Sequence, residues 1–304
     1  MSTPSAIPDE LLGAVTPAER RLPQWIVTLR EAWRMGRTKA GVGIFLAVVA
    51  IVVFGPYVAP YSPTEFVGRP FQLPSSTAWL GTDYIGHDVL SRVLYGGRSV
   101  IVLALAATTI GLVLGVLLGL VSGYARRWVD ESIMRILDVV LAFPSLVLAL
   151  LFVSILGPQV WLIVLMVGIS HAPRIARVTR ASTLEVAQRD FVHSAEALGV
   201  SRSRILGAEI LPNITSPLLV EFGLRLTYSI ALIAGLSFLG FGLQPPSADW
   251  GLMINENRIG TAVQPWAVFV PVVMIGILTI ATNLMADGYG RAMVGIERDT
   301  SGTT

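Results

Sequence analysis

Between Asp138 and Arg174 the chain carries no charged residue, and charge-free apolar runs recur over 41–61, 99–124 and 265–286. In hydrocarbon no water satisfies a backbone N–H or C=O, so such a segment must pair its own polar groups as a helix. About 20 residues cross the ~30 Å apolar layer. The run after Asp138 is too long for one crossing and is interrupted by Gly157-Pro158-Gln159. Dividing it there predicts crossings over 132–156 and 159–175, and 216–243 completes a set of six. The expected fold class is therefore all-α: a polytopic membrane protein with six transmembrane helices. Composition agrees, with 53% hydrophobic and 14% charged residues, against about 25% charged in soluble domains.

Six crossings put both termini on one side, and the arginines say which. The N-terminal segment, the turn at Arg126 and Arg127, the 176–213 region with its approach, and the C-terminus together hold 17 of the 22 Lys+Arg. The opposite side holds Arg69, Arg92, Arg98 and Arg258. By the positive-inside rule both termini are expected to be cytoplasmic. There is no cysteine, so thiolate metal sites are excluded. Lys39 is the only lysine, in GRTKAG. A phosphate-binding loop needs Gly-Lys followed by Ser or Thr, so this chain does not hydrolyse ATP through one.

The expected organisation runs as follows. Residues 1–40 hold a polar tail, without a secretory signal, and an amphipathic helix. In that helix Trp25, Leu29 and Trp33 oppose Arg30, Arg34 and Arg37, a pattern suited to the headgroup layer. A crossing over 41–61 leads to an external segment, 62–98, and a five-helix core, 99–290. A tail, 291–304, ends the chain. Gly111, Gly115, Gly119 and Gly123 line one face of the second crossing and allow another backbone to approach closely. Outside, Asp88 can cap a short helix ending at Gly96-Gly97, and Asp249 another after Pro245-Pro246. Trp79 and Trp250 suit interfacial anchors of these external lids.

The polar, basic stretch 191–213 reads as two short helices. One ends where Gly199 can take a left-handed conformation; the second has Ser201 as N-cap and stops at Pro212. This stretch resembles the coupling loop of bacterial ABC-importer permeases, matching at Ala195, Gly199, Leu211 and Pro212 and departing at His193, Ser194 and Glu209. Leu80-Gly81-Thr82-Asp83, Gly86, 88–92 and 94–96 are similar to the external motif of the second permease subunit of dipeptide, oligopeptide and nickel importers. Leu239-Gly240-Phe241-Gly242-Leu243, Pro245-Pro246 and Asp249-Trp250-Gly251 follow the same family. His87 stands where that family usually has arginine, which would make an ion pair there pH-sensitive.

The resemblance implies a type I importer permease in a bacterial inner membrane. It pairs with a related permease, above two ATP-binding subunits that hold ATP and Mg, and below a substrate-binding protein that delivers di- or oligopeptides. It implies no catalytic residue, no metal and no cofactor in this chain, contact with membrane lipid, and no nucleic acid. ATPase coupling falls on His193, Ser194, Ala195, Glu196, Ala197, Leu198, Gly199, Arg202 and Arg204 in the loop over 176–213. Binding-protein contact falls on Thr82, Asp83, Asp88, Asp249 and Trp250, the last two in an external loop over 244–264. Glu221 and Arg225, four apart inside the fifth crossing, are candidates for the pathway or a gate, since charges in a span are costly. Alternatives are a nickel or small-solute importer permease, or a stand-alone secondary transporter.

Overall fold

The computed structural model of the protein describes residues 24–301. The polar tail at 1–23, and residues 302–304 of the C-terminal tail, lie outside the described residues. Among the described residues every named element is helical, and the only β pairing is the isolated bridges Phe66–His87 and Thr82–Asp88. Five helices are long and apolar enough to cross a membrane, and one bent pair can supply a sixth crossing.

Helix α1 (Gln24–Arg34) is separated from α2 (Gly36–Val58) only by Met35. Thr28 and Ala32 are buried while Trp25, Leu29 and Trp33 stay exposed. The helix thus lies on the bundle by its small residues and offers its tryptophans outward. Helix α3 (Val89–Tyr124) is unbroken for 36 residues, about 54 Å at 1.5 Å per residue. Asp88 caps it, accepting from the Ser91 N–H at 2.8 Å. The expected short external helix ending at Gly96-Gly97 is therefore the first turns of this crossing. Those glycines do not stop it; they make room, since a Cβ at Gly96 would lie 3.0 Å from Trp250 Cδ1.

The glycine stripe faces this chain's own α6 (Val160–Ala187). Cβ atoms at Gly111, Gly115, Gly119 and Gly123 would collide with Gly168, Ile175, Thr179 and Thr183 in register. The predicted crossing over 132–156 is instead two helices, α4 (Arg127–Leu141) and α5 (Ser145–Leu156), bent by 80°. The bend falls at Ala142-Phe143-Pro144, where proline removes a donor and disfavours helix in the residue before it. Helix α6 runs beyond the expected end at 175, and Gly157 (φ +90°) makes the turn before it.

Two short helices follow, α7 (Asp190–Ala197) and α8 (Arg202–Arg204). The second does not stop at Pro212. It passes through a π-helical turn, Ile205–Ile210, and a 3₁₀ turn, Leu211–Ile214, straight into α9 (Thr215–Phe238). Pro212 sits in the first turn of the 3₁₀ segment, where a missing N–H costs nothing. Ser201 holds the N-cap position, but its side chain makes no capping bond. After α9, α10 (Trp250–Asn257) is capped by Asp249, whose carboxylate accepts from Leu252 N–H at 3.0 Å. The last crossing, α11 (Trp266–Ser301), continues as helix where a tail was expected from 291. The main core joins α3, α6, α9, α10 and α11 through Val100, Leu162, Ile230, Leu236, Trp250 and Leu278.

Candidate functional site

One station is the α7–α8 hairpin, at the end of the bundle expected to be cytoplasmic. Gly199, at φ +76° with open space around it, closes α7 through its own N–H to Glu196 O and the Val200 N–H to Ala195 O. Leu198 at the tip is 83% exposed, an apolar side chain presented to whatever binds there. His193, Ser194, Glu196, Ala197, Arg202 and Arg204 are also exposed, and Ala195 is partly covered. Behind the tip, Val192, Ile205, Ile210 and Ile214 pack with Leu120 of α3, Val186 of α6 and Leu218 of α9 in a second core of their own. The hairpin is thereby welded to the inner ends of three crossings.

A polar tie reinforces the weld. The Tyr124 hydroxyl, on the last residue of α3, donates to Glu196. That bond, with lesser help from His193 and Arg202, holds the Glu196 carboxyl below the usual glutamate range. The His193 ring lies 3.6 Å from the same carboxylate. Sequence reasoning missed Tyr124, because nothing local links it to a residue 72 positions away.

The other station, at the opposite end of α3, is the lid made by residues 62–88, the start of α3, and α10. Asp83 is fully buried and accepts from the N–H groups of Ile85, Gly86 and His87 at 3.0, 2.9 and 2.8 Å. Its other oxygen meets the Arg92 guanidinium, with His87 Nδ1 at 3.3 Å. Arg92 reaches on to α10, where its second amino group lies 3.0 Å from Glu256 Oε2 but is poorly aligned as a donor, so charge holds that contact. Tyr84 OH donates to Glu256 Oε1 at 3.2 Å, and Asn257 accepts from Tyr84 N–H at 2.9 Å. Burial pushes the Glu256 carboxyl above its ordinary value, against the attraction of Arg92, and pushes the Tyr84 phenol up as well.

Thr82, Asp83, Asp88, Asp249 and Trp250 are all buried in this lid. The five residues expected to meet a binding protein thus sit inside the lid and not on its surface. Trp250 is no interfacial anchor either: its indole donates to Val93 O at 2.9 Å from within the core. Trp79 is 70% exposed and keeps the outward role.

Between the stations, Glu221 and Arg225 form the expected pair at 3.0 Å, largely buried. The Arg225 guanidinium also lies over the Tyr228 ring at 5.1 Å, and one of its amino groups has no hydrogen-bond partner among the described residues. Deeper, Ser229 of α9 accepts from Thr108 of α3 at 2.8 Å and meets His171 of α6 at 3.0 Å. This buried polar knot of three helices was not anticipated. The three histidines remain apart, and no cluster of metal-ligating side chains is gathered among the described residues.

Residues 111–294 match the family of binding-protein-dependent transport system inner membrane components. The chain is 37% identical to a glutathione transport system permease protein of Pectobacterium atrosepticum, over 87% of this chain and 90% of that one. It is 32% identical to a dipeptide transport system permease protein of Alkalihalophilus pseudofirmus, over 94% and 92%. A di/tripeptide transport system permease protein of Pseudomonas aeruginosa is 36% identical, over 87% and 91%. Among solved structures a chain of the inward-facing MetNI methionine ABC transporter superposes with a TM-score of 0.51 at 15% identity, covering 65% of this chain and 96% of that chain; this likeness speaks for the fold. With the hairpin, the glycine seam and the lid in place, these matches make the chain a member of the binding-protein-dependent inner membrane components, the permeases of ABC importers.

Proposed function

We propose that this permease carries di- or oligopeptides inward, as one of two related membrane subunits driven by two separate ATPases and fed by an external binding protein. Both termini and the α7–α8 hairpin face the cytoplasm in this reading, supported by the 17 of 22 basic residues on that side. Hydrolysis belongs to partner subunits, in keeping with a single lysine outside any phosphate-binding loop. The peptide class is supported by the names of the three relatives.

The observation that carries the proposal is the weld between hairpin and crossings. An ATPase groove gripping the exposed tip at Leu198 moves α7 and α8 as a block. The block's own core and the Tyr124–Glu196 bond hand that motion to α3, while the uninterrupted helical backbone hands it to α9. Rigid helices then act on the outer lid about 54 Å away along α3. Glu221 and Arg225 serve as the internal latch of α9, released or re-formed as the path opens. The lid's outward surface, including Trp79, takes the contact with the binding protein, and the five buried residues keep the lid in shape.

Gly199→Pro tests this. Proline is confined to φ near −65°, while position 199 sits at +76°, so the turn must rebuild. The complex is expected in the membrane with binding-protein-stimulated ATPase activity lost. Full stimulation would refute the role of the hairpin.

A further inference from the structure

A groove of about 480 Å³ opens between the inner ends of α9 and α11, walled by Val220, Leu224, Ala286, Gly290, Val294 and Gly295. Asp287 and Arg291 stand on the same wall. Position along α11 fixes the depth. Trp266, the exposed first residue of α11, marks the outer boundary, in the manner of interfacial tryptophans. From there Ala286 is ~30 Å inward and Arg291 ~38 Å, at 1.5 Å per residue. On that scale Ala286 lies at the acyl–headgroup boundary of the far leaflet, while Gly290, Arg291, Val294 and Gly295 lie at headgroup level or beyond it.

The charges there are unequal. Asp287 is engaged by Arg37 at 4.0 Å, whereas Arg291 makes no ion pair among the described residues. Helix α1, which packs on α9 and α11, carries a further exposed arginine, Arg30. Excess positive charge beside an apolar slot complements one molecule type best: a lipid with an anionic head and a hydrocarbon tail. We propose that this groove is a binding site for one anionic phospholipid, its acyl chain between α9 and α11 and its phosphate on Arg291. Its assignment to the cytoplasmic leaflet rests on the orientation proposed above; the site itself does not. Occupancy would fill the slot beside the Glu221–Arg225 pair and brace α9 against α11 where the coupling block begins.

The glycines make the test clean. A Cβ at Gly290 meets only Val220 at 3.7 Å, and one at Gly295 meets nothing within 4 Å, so Gly290→Leu fills the slot from its open side. The assembled transporter, with its partner subunits, is delipidated in mild detergent, titrated with phosphatidylglycerol or phosphatidylcholine, and read by native mass spectrometry. Wild type is expected to retain one phosphatidylglycerol per copy of this chain in preference to phosphatidylcholine. Arg291→Gln should cut that preference about fivefold, the share of one arginine near an anionic surface. Gly290→Leu should abolish retention of both lipids, while Gly43→Leu, in open space on α2, should not. Equal retention of the two lipids by wild type, or unchanged retention in Gly290→Leu, overturns the proposal. So does a photo-crosslinker at Val294 that captures a partner protein and no lipid. Should Gly290→Leu fail to assemble, Arg291→Gln alone decides the headgroup assignment. Transport assays on the same variants report separately on the permease reading.

Discussion

Replacing Gly115 by alanine should separate α3 from α6. The added Cβ would lie 2.6 Å from Ile175 Cβ and 2.9 Å from the Ala172 carbonyl, where contacting carbons sit ~3.5–4.0 Å apart. Backbone atoms cannot turn aside as a flexible side chain can, so the helices must part by roughly 1 Å. Overpacking of this kind costs ~1–3 kcal/mol, but alanine also gains up to ~1 kcal/mol over glycine within a helix. Gly43→Ala removes that ambiguity. Position 43 lies inside α2 with nothing within 4 Å of its Cβ, so it keeps the gain without the clash. The difference between the two variants isolates the seam at ~1–3 kcal/mol. Thermal unfolding of the purified transporter in detergent supplies the readout, with Gly115→Ala melting below Gly43→Ala. Gly115→Ala/Gly119→Ala should melt lower again, although less than additively, because one separation relieves both clashes. Equal melting of Gly115→Ala and Gly43→Ala would show that α3 and α6 are not locked along this stripe.

Tyr124→Phe removes the donor to Glu196 and little else; the expected outcome is intact assembly with reduced stimulation of ATPase activity by binding protein, and Glu196→Gln, which still accepts, should be milder. Glu221→Gln leaves Arg225 buried without its counter-charge, which typically costs ~3–5 kcal/mol; the double variant Glu221→Gln/Arg225→Met should recover much of that loss in the same melting assay. The raised Glu256 carboxyl gives the lid a pH dependence of definite sign. Its folded-state value lies above the ordinary glutamate range, so its contribution is fully present below that range and is lost as pH rises through the folded value. Protection of α10 amides from hydrogen exchange should therefore fall across that acidic window in wild type, and the step should vanish in Glu256→Gln.

Much of the architecture was legible because one constraint dominates: a backbone in hydrocarbon must be helical, so charge-free length reveals crossings. The Glu221–Arg225 pair and the two caps at Asp88 and Asp249 were legible for a similar reason, since each depends on residues three or four apart. Misreadings arose where one residue type serves two physical purposes. Gly199 uses its freedom to reach φ +76°, whereas Gly96 and Gly97 use only their lack of a side chain, to seat Trp250. Pro144 breaks a crossing, yet Pro212 sits harmlessly in a first turn. Trp250 pointed to an interface by residue type alone and is buried because a glycine pair on α3 leaves a slot of its shape. Tyr124, Glu256, and the His171–Ser229–Thr108 knot could not be found by spacing, because their partners lie 58 to 172 positions away and only the packed bundle brings them together.

The two stations differ in a way that bears on how force travels. Inner residues that matched or neighboured the family pattern are exposed at their tip and anchored from behind, as a handle requires. The polar and aromatic anchors of the lid are buried, and they hold one another: Asp83 through three backbone N–H groups and Arg92, and Trp250 through Val93. Such a lid is expensive to distort, since parting Arg92 from Asp83 breaks a fully buried ion pair. Under the proposed coupling role, motion entering at the hairpin is then more economically expressed as displacement of the lid in one piece than as bending within it. Packed elements of this kind move between discrete arrangements. Continuity of α3, from the residue that binds Glu196 to the residue that binds Asp83, puts both ends of that displacement on a single helix.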